Sequence, residues 1–75
     1  IVYPNPNDGR LIINFGDRPI SGNYDIINML GKEIGSKKFI NETQIKVEIL
    51  GKKGIYIIKI IDDESRESLV KVLKQ

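Results

Sequence analysis

Apolar residues recur at every second position along most of this chain, the period of a strand with one face buried. Ile45, Val47 and Ile49 alternate with Lys46 and Glu48, the cleanest half-buried pattern present. Leu11, Ile13 and Phe15 alternate with Ile12 and Asn14, and Leu69, Lys71 and Leu73 with Val70 and Val72. Tyr24–Met29 predicts a further strand and Ile34–Ile40 a weaker, more polar one. Ile55–Ile61 is different. Its five isoleucines and one tyrosine place apolar side chains on both faces, which predicts a central strand.

Turn signals separate these segments at short intervals: Pro4–Gly9, Asp17–Gly22, Leu30–Lys32, Asn41–Thr43, Gly51–Gly54 and Asp62–Ser65. With Ile1–Tyr3 as an opening strand the count is seven, and the pattern predicts an all-β fold, a small antiparallel two-sheet sandwich or a small barrel. Leu69, Val72 and Leu73 could share a helical face, but strict alternation and two valines favour extended chain there.

Composition narrows what such a fold can do. At 75 residues the chain makes one domain, residues 1–75, with a thin core. There is no cysteine and no histidine, which removes thiolate metal sites, disulfides and the commonest general base. Twelve Lys and Arg against ten Asp and Glu leave a net charge of +2, too balanced for a nucleic-acid grip. Four serines and one threonine have no histidine partner, and Asp62, Asp63 and Glu64 fall at a solvated hairpin tip. Asn5, Asn7 and Asp8 lack the spacing and the bidentate Glu of a calcium loop. The residues thus predict no enzyme, no catalytic residue, no metal, no cofactor, no small-molecule substrate and no nucleic-acid partner. The abrupt opening at Ile1, without a charged leader, predicts a piece of a longer protein.

Four blocks invite a closer reading. In Tyr3–Gly9, Pro4 and Pro6 stiffen a turn that Asp8-Gly9 closes; it serves either as a rigid loop shown to a receptor or as a well-specified turn. Asn28-Met29-Leu30-Gly31-Lys32 joins two strands, with Gly31 expected in the left-handed region. In the central strand, Gly54 ends a loop, Tyr56 locks the core and Ile58 packs with it. Lys71 and Lys74, before Gln75, are expected on the outer edge of a final strand, where lysines either block aggregation or offer a cationic grip. Lys37-Lys38 and Lys52-Lys53 read as solvated loop charges, and Asn41-Glu42-Thr43 as a coincidental glycosylation sequon in a polar turn.

Taken in order, Tyr3-Pro4-Asn5-Pro6, Ile26–Lys32, Gly54–Ile60 and Ser68–Gln75 resemble the C-terminal sorting domain of the type IX secretion system of Bacteroidota. Asn28 stands where that family usually has Asp, and Lys32 where it often has Arg. The resemblance implies a seven-stranded, immunoglobulin-like sandwich acting as an address label. Its cargo crosses the inner membrane by an N-terminal signal peptide and folds in the periplasm. The label then leads it through the outer membrane to the cell surface or the medium. The implied partners are the translocon, an outer-membrane shuttle protein and a surface sortase that cuts upstream of Ile1. The implied recognition residues are Pro4, Asn5, Pro6, Gly31, Lys32, Lys71, Lys74 and Gln75, while Gly54, Tyr56 and Ile58 are structural. A folded label also needs an accessible edge, so the final strand is expected to leave its backbone groups unpaired. Two alternatives stand beside this: an accessory carbohydrate-binding sandwich module of a secreted enzyme, and a subunit that polymerises by strand exchange. Sugar stacking would rest on Tyr3, Tyr24 and Tyr56, because Trp is absent.

Overall fold

Every element of the computed structural model, which describes Ile1–Gln75, is a strand: β1 (Val2–Tyr3), β2 (Arg10–Asn14), β3 (Ile20–Asn28), β4 (Glu33–Glu42), β5 (Gln44–Glu48), β6 (Gly54–Asp62) and β7 (Glu67–Lys74). They form a three-stranded sheet in the order β1-β2-β5 and a four-stranded sheet in the order β4-β3-β6-β7, antiparallel throughout. This is the immunoglobulin-like sandwich that was expected, with the fourth strand lying beside the third instead of in the opposite sheet.

The period-2 pattern decides which residues enter the core. Leu11 and Ile13 of β2 and Ile45 and Val47 of β5 face Tyr24 and Ile26 of β3, Phe39 of β4, Tyr56, Ile58 and Ile60 of β6 and Val72 of β7. Ile58 is the most buried of all, at 0 % exposure, because β6 sits between β3 and β7. The other face of β6 is only half-buried, so Ile55, Ile57 and Ile61 lie on an outer sheet surface, not in a second core. Phe15 stacks on Phe39 at 5.3 Å between ring centroids, joining the two sheets.

Three expectations of local structure change. β3 begins at Ile20, so Ser21 and Gly22 belong to a strand and only the segment up to Pro19 is a turn. The weak strand around Ile34–Ile40 is the longest in the fold, ten residues from Glu33 to Glu42. It reads as polar because an edge strand presents few residues to the core, here Phe39 alone. Finally, Asn41 and Glu42 lie within β4, and the turn shrinks to Thr43. β4 accommodates this through two register shifts, one near each end, and Asn41 takes a φ of 54°.

At the β6–β7 hairpin Asp62 organises the turn. Its Oδ1 accepts the backbone N–H groups of Glu64 and Arg66, and its Oδ2 the Nε–H of Arg66 at 3.0 Å. The backbone hydrogen bond from Arg66, with help from Glu64 N–H and the guanidinium, holds this carboxyl below the usual carboxylate range. A depressed native pKa contributes stability above the ordinary value, lost as the carboxylate is protonated. Acid titration from neutral to below about pH 4 is expected to lower the melting temperature, with a smaller drop in Asp62→Ala. Equal slopes in the two proteins would show that Asp62 is not linked to folding.

Candidate functional site

The opening loop lies along the last strand. Both X–Pro bonds, Tyr3–Pro4 and Asn5–Pro6, are cis. The Asn5 carboxamide donates from Nδ2 to the Lys71 carbonyl at 3.2 Å and accepts the Leu73 N–H on Oδ1 at 2.9 Å. Asn7 continues with its backbone: its N–H donates to the Leu73 carbonyl at 2.9 Å, and its carbonyl accepts the Gln75 N–H at 2.7 Å. Asn5 thus stands in for one peptide unit of a missing neighbour strand, and Asn7 supplies the next. The expectation of an unpaired final edge therefore needs correction. Between Lys71 and Gln75 that edge is capped by the chain's own opening loop.

Asn7 also turns the loop toward β2, accepting the Gly9 N–H on its buried Oδ1 at 2.8 Å, while its Nδ2 is buried with no partner. Gly9 has a φ of 111°, and a Cβ there would meet Lys74 Cε at 2.9 Å and the Ile49 carbonyl at 3.0 Å. Only glycine fits both constraints.

Lys71 and Lys74 were expected together on the outer edge. They point to opposite faces, as residues three apart on a strand must. Lys71 is exposed on the outer surface of the four-stranded sheet. Lys74 turns inward, its Nζ donating to the Ile49 carbonyl at 2.8 Å and the Gly51 carbonyl at 2.6 Å. Its ammonium therefore ties the last strand to the β5–β6 loop and is not free as an exposed grip.

That loop is fixed from a second side. Tyr56 is buried at 6 % exposure and its hydroxyl donates to the Lys52 carbonyl at 2.5 Å. Gly51 is required beneath it, since a Cβ would overlap the Tyr56 hydroxyl oxygen. Tyr24 is also in the core, where desolvation raises its phenol pKa, so of the three tyrosines only Tyr3, 43 % exposed, faces solvent. A sugar-stacking surface thus loses two of its three candidates.

The Asn28–Lys32 turn sits beside the same loop, because Asn28 pairs with Tyr56 across the β3–β6 ladder. Asn28 Oδ1 accepts the N–H groups of Leu30 at 2.9 Å and Lys32 at 3.0 Å, and Gly31 adopts the left-handed φ of 81° expected of it. A carboxamide oxygen accepts these two N–H groups as well as a carboxylate would.

Segments far apart in sequence therefore meet at one pole of the sandwich: the Tyr3–Gly9 loop, the Asn28–Lys32 turn, the Ile49–Lys53 loop and the end of β7. Pro4, Asn5, Pro6, Gly31, Lys32, Lys71 and Gln75 are all exposed there or just beside it. Asn7, Ile49 and Gly51 also belong to this site; the sequence pattern places them in a turn, a half-buried strand and a loop, with no role at the site. Gly51, like Gly9 in its turn, carried only a generic loop signal. No cluster of three or more His, Cys, Asp or Glu is placed to hold a metal. The arrangement is a polar loop joined to a strand edge by four hydrogen bonds, two from the Asn5 carboxamide and two from the Asn7 backbone. The family model described as "Secretion system C-terminal sorting domain" matches residues 1–75, the whole chain. The chain belongs to that family. It is a type IX sorting domain, a signal that directs export across the outer membrane to the cell surface or the medium and that engages the secretion machinery. No curated protein matches it. For a sorting domain the capped edge has a plain use. Between Lys71 and Gln75 the opening loop occupies backbone groups that could otherwise pair with another chain.

Proposed function

We propose that this sorting domain is read as a folded unit, through a composite surface built from its opening loop and its final strand. What carries the reading is the pairing of Asn5 and Asn7 with Lys71, Leu73 and Gln75, which joins segments 66 and 68 residues apart at the Asn5 contacts. Pro4, Pro6 and Gln75 border a polar cleft at that junction with Asn7, Asp8 and Arg10, and the exposed Lys71 flanks it. Such a surface exists only once the sandwich has closed, so a translocon and its outer-membrane shuttle protein that recognise it admit folded domains alone. A surface sortase then removes the domain by cutting upstream of Ile1, after passage through the periplasm.

A fusion of a periplasmic reporter to Ile1–Gln75 through a flexible linker tests this in a type IX-competent cell. The wild-type fusion is expected at the surface or in the medium. Asn5→Ala removes both carboxamide bonds to β7 and is expected to cost about 1–2 kcal/mol, leaving the domain folded while export falls. Retention of the folded, intact wild-type fusion would refute the label reading. Undiminished export of Asn5→Ala would refute the composite surface.

A further inference from the structure

We propose that the open side of the sandwich between β4 and β5 is a docking groove for an extended, acidic segment of a partner protein, which adds as a further strand beside β4. The site lies on the opposite edge of the four-stranded sheet from β7 and does not rest on the reading of the opening loop.

β4 and β5 follow each other in the chain, yet they pair in different sheets, β4 with β3 alone and β5 with β2 alone. Each is therefore a sheet edge, and the backbone groups on its outer side have no ladder partner. Across the molecule the opening loop caps part of such an edge; here no segment of the chain does so. Two clefts run between β4 and β5 and share Tyr24, Lys37 and Lys46 in their walls, so they form one groove. Tyr24, Phe39 and Ile45 of the core reach its floor. An unpaired ladder beside an apolar floor fits an extended peptide, whose backbone takes the ladder while alternate side chains enter the groove.

Charge selects which peptide. The register of β4 against β3 shifts near both ends, which leaves Gly35–Phe39 as the regular run, paired one-to-one with Ile26–Gly22. That run carries Lys37 and Lys38 and no carboxylate. Lys37 shares the inward face with Phe39, two residues on, and so stands at the groove with Lys46. The nearby carboxylates lie off the run. Glu33 and Glu42 fall beyond the register shifts, Glu48 faces Arg10 of β2 at 3.7 Å, and Asp25 of β3 accepts the Ser36 hydroxyl at 2.8 Å. A second copy of the chain is a poor occupant. Antiparallel pairing of two β4 strands along their full length sets Lys37 of one against Lys38 of the other, and Glu33 against Glu42, like charge against like. A strand with carboxylates opposite Lys37 and Lys38 replaces this repulsion by attraction.

Titration of the isotope-labelled domain with the end-capped peptide Thr-Val-Glu-Glu-Thr-Val-Thr, followed by amide NMR, tests the proposal. Its two glutamates are set to face Lys38 and Lys37. The amide signals of β4 and β5 are expected to move and those of β7 to stay. The inverse peptide, with lysines for the glutamates, is expected not to bind. Lys37→Glu is expected to weaken binding about ten-fold, and a peptide with lysine in place of the glutamate facing that position to restore it. Lys46→Glu, on the facing strand, is expected to weaken binding as well. Lys53→Glu makes the same charge change in the exposed loop before β6, outside the groove, and is expected to have a lesser effect. Absence of shifts on β4 and β5, equal binding of the inverse peptide, or equal loss in Lys53→Glu and Lys37→Glu would overturn the proposal. So would concentration-dependent pairing of the free domain through β4.

Discussion

Tyr56→Ala is expected to destabilise the domain by about 3–5 kcal/mol, a large share of the roughly 4–11 kcal/mol available to a chain of this size. The ring lies on the inner face of the central strand, in register with Asn28 on one side and Val72 on the other. Truncation opens a cavity between the sheets and leaves the Lys52 carbonyl without its phenol donor. It also frees Gly51, and with it the loop whose carbonyls receive Lys74. Tyr56→Phe separates the two contributions: it keeps the ring and removes one hydrogen bond, for an expected loss of about 1 kcal/mol. Denaturant unfolding with unchanged m-values measures both. A midpoint for Tyr56→Ala close to wild type would mean that this side chain is not in the core.

The second large effect separates two lysines that look alike in sequence. Lys74→Glu is expected to lose about 2–3 kcal/mol, because it removes a charge-assisted contact to two carbonyls and places a carboxylate against them. Lys71→Glu is expected to change stability by less than about 0.5 kcal/mol, its side chain being exposed on the outer sheet face. An export defect in Lys71→Glu can then be read as recognition, whereas one in Lys74→Glu reports folding first. Equal stability losses would show that the ammonium of Lys74 contributes nothing as a tie.

A charge reversal at both positions at once cannot distinguish these cases. The same holds for removal of the last residues, which takes away Lys74 together with the buried Val72. For this domain, single substitutions at Asn5 and Lys71 are the informative tests of recognition.

Much of the architecture was legible in the order of residues because a strand's side chains alternate strictly between two faces. The pattern at Leu11 and Ile13, at Ile45, Val47 and Ile49, and at Tyr56, Ile58 and Ile60 could be buried on one side only, and each of these residues is in the core. Gly31 and Asn28 announced their turn, since few residues tolerate a left-handed backbone and few side chains reach back to cap one. The family resemblance, carried by four short motifs in order, agrees with the match over the whole chain. What tertiary structure alone decided concerns pairings across long separations. Whether the final edge is open depends on a loop at the other end of the chain, because a carboxamide can occupy the place of a strand's peptide only if folding brings it there. Whether a lysine is solvated depends on which carbonyls stand opposite it, and local sequence contains no information on the loop that Lys74 meets.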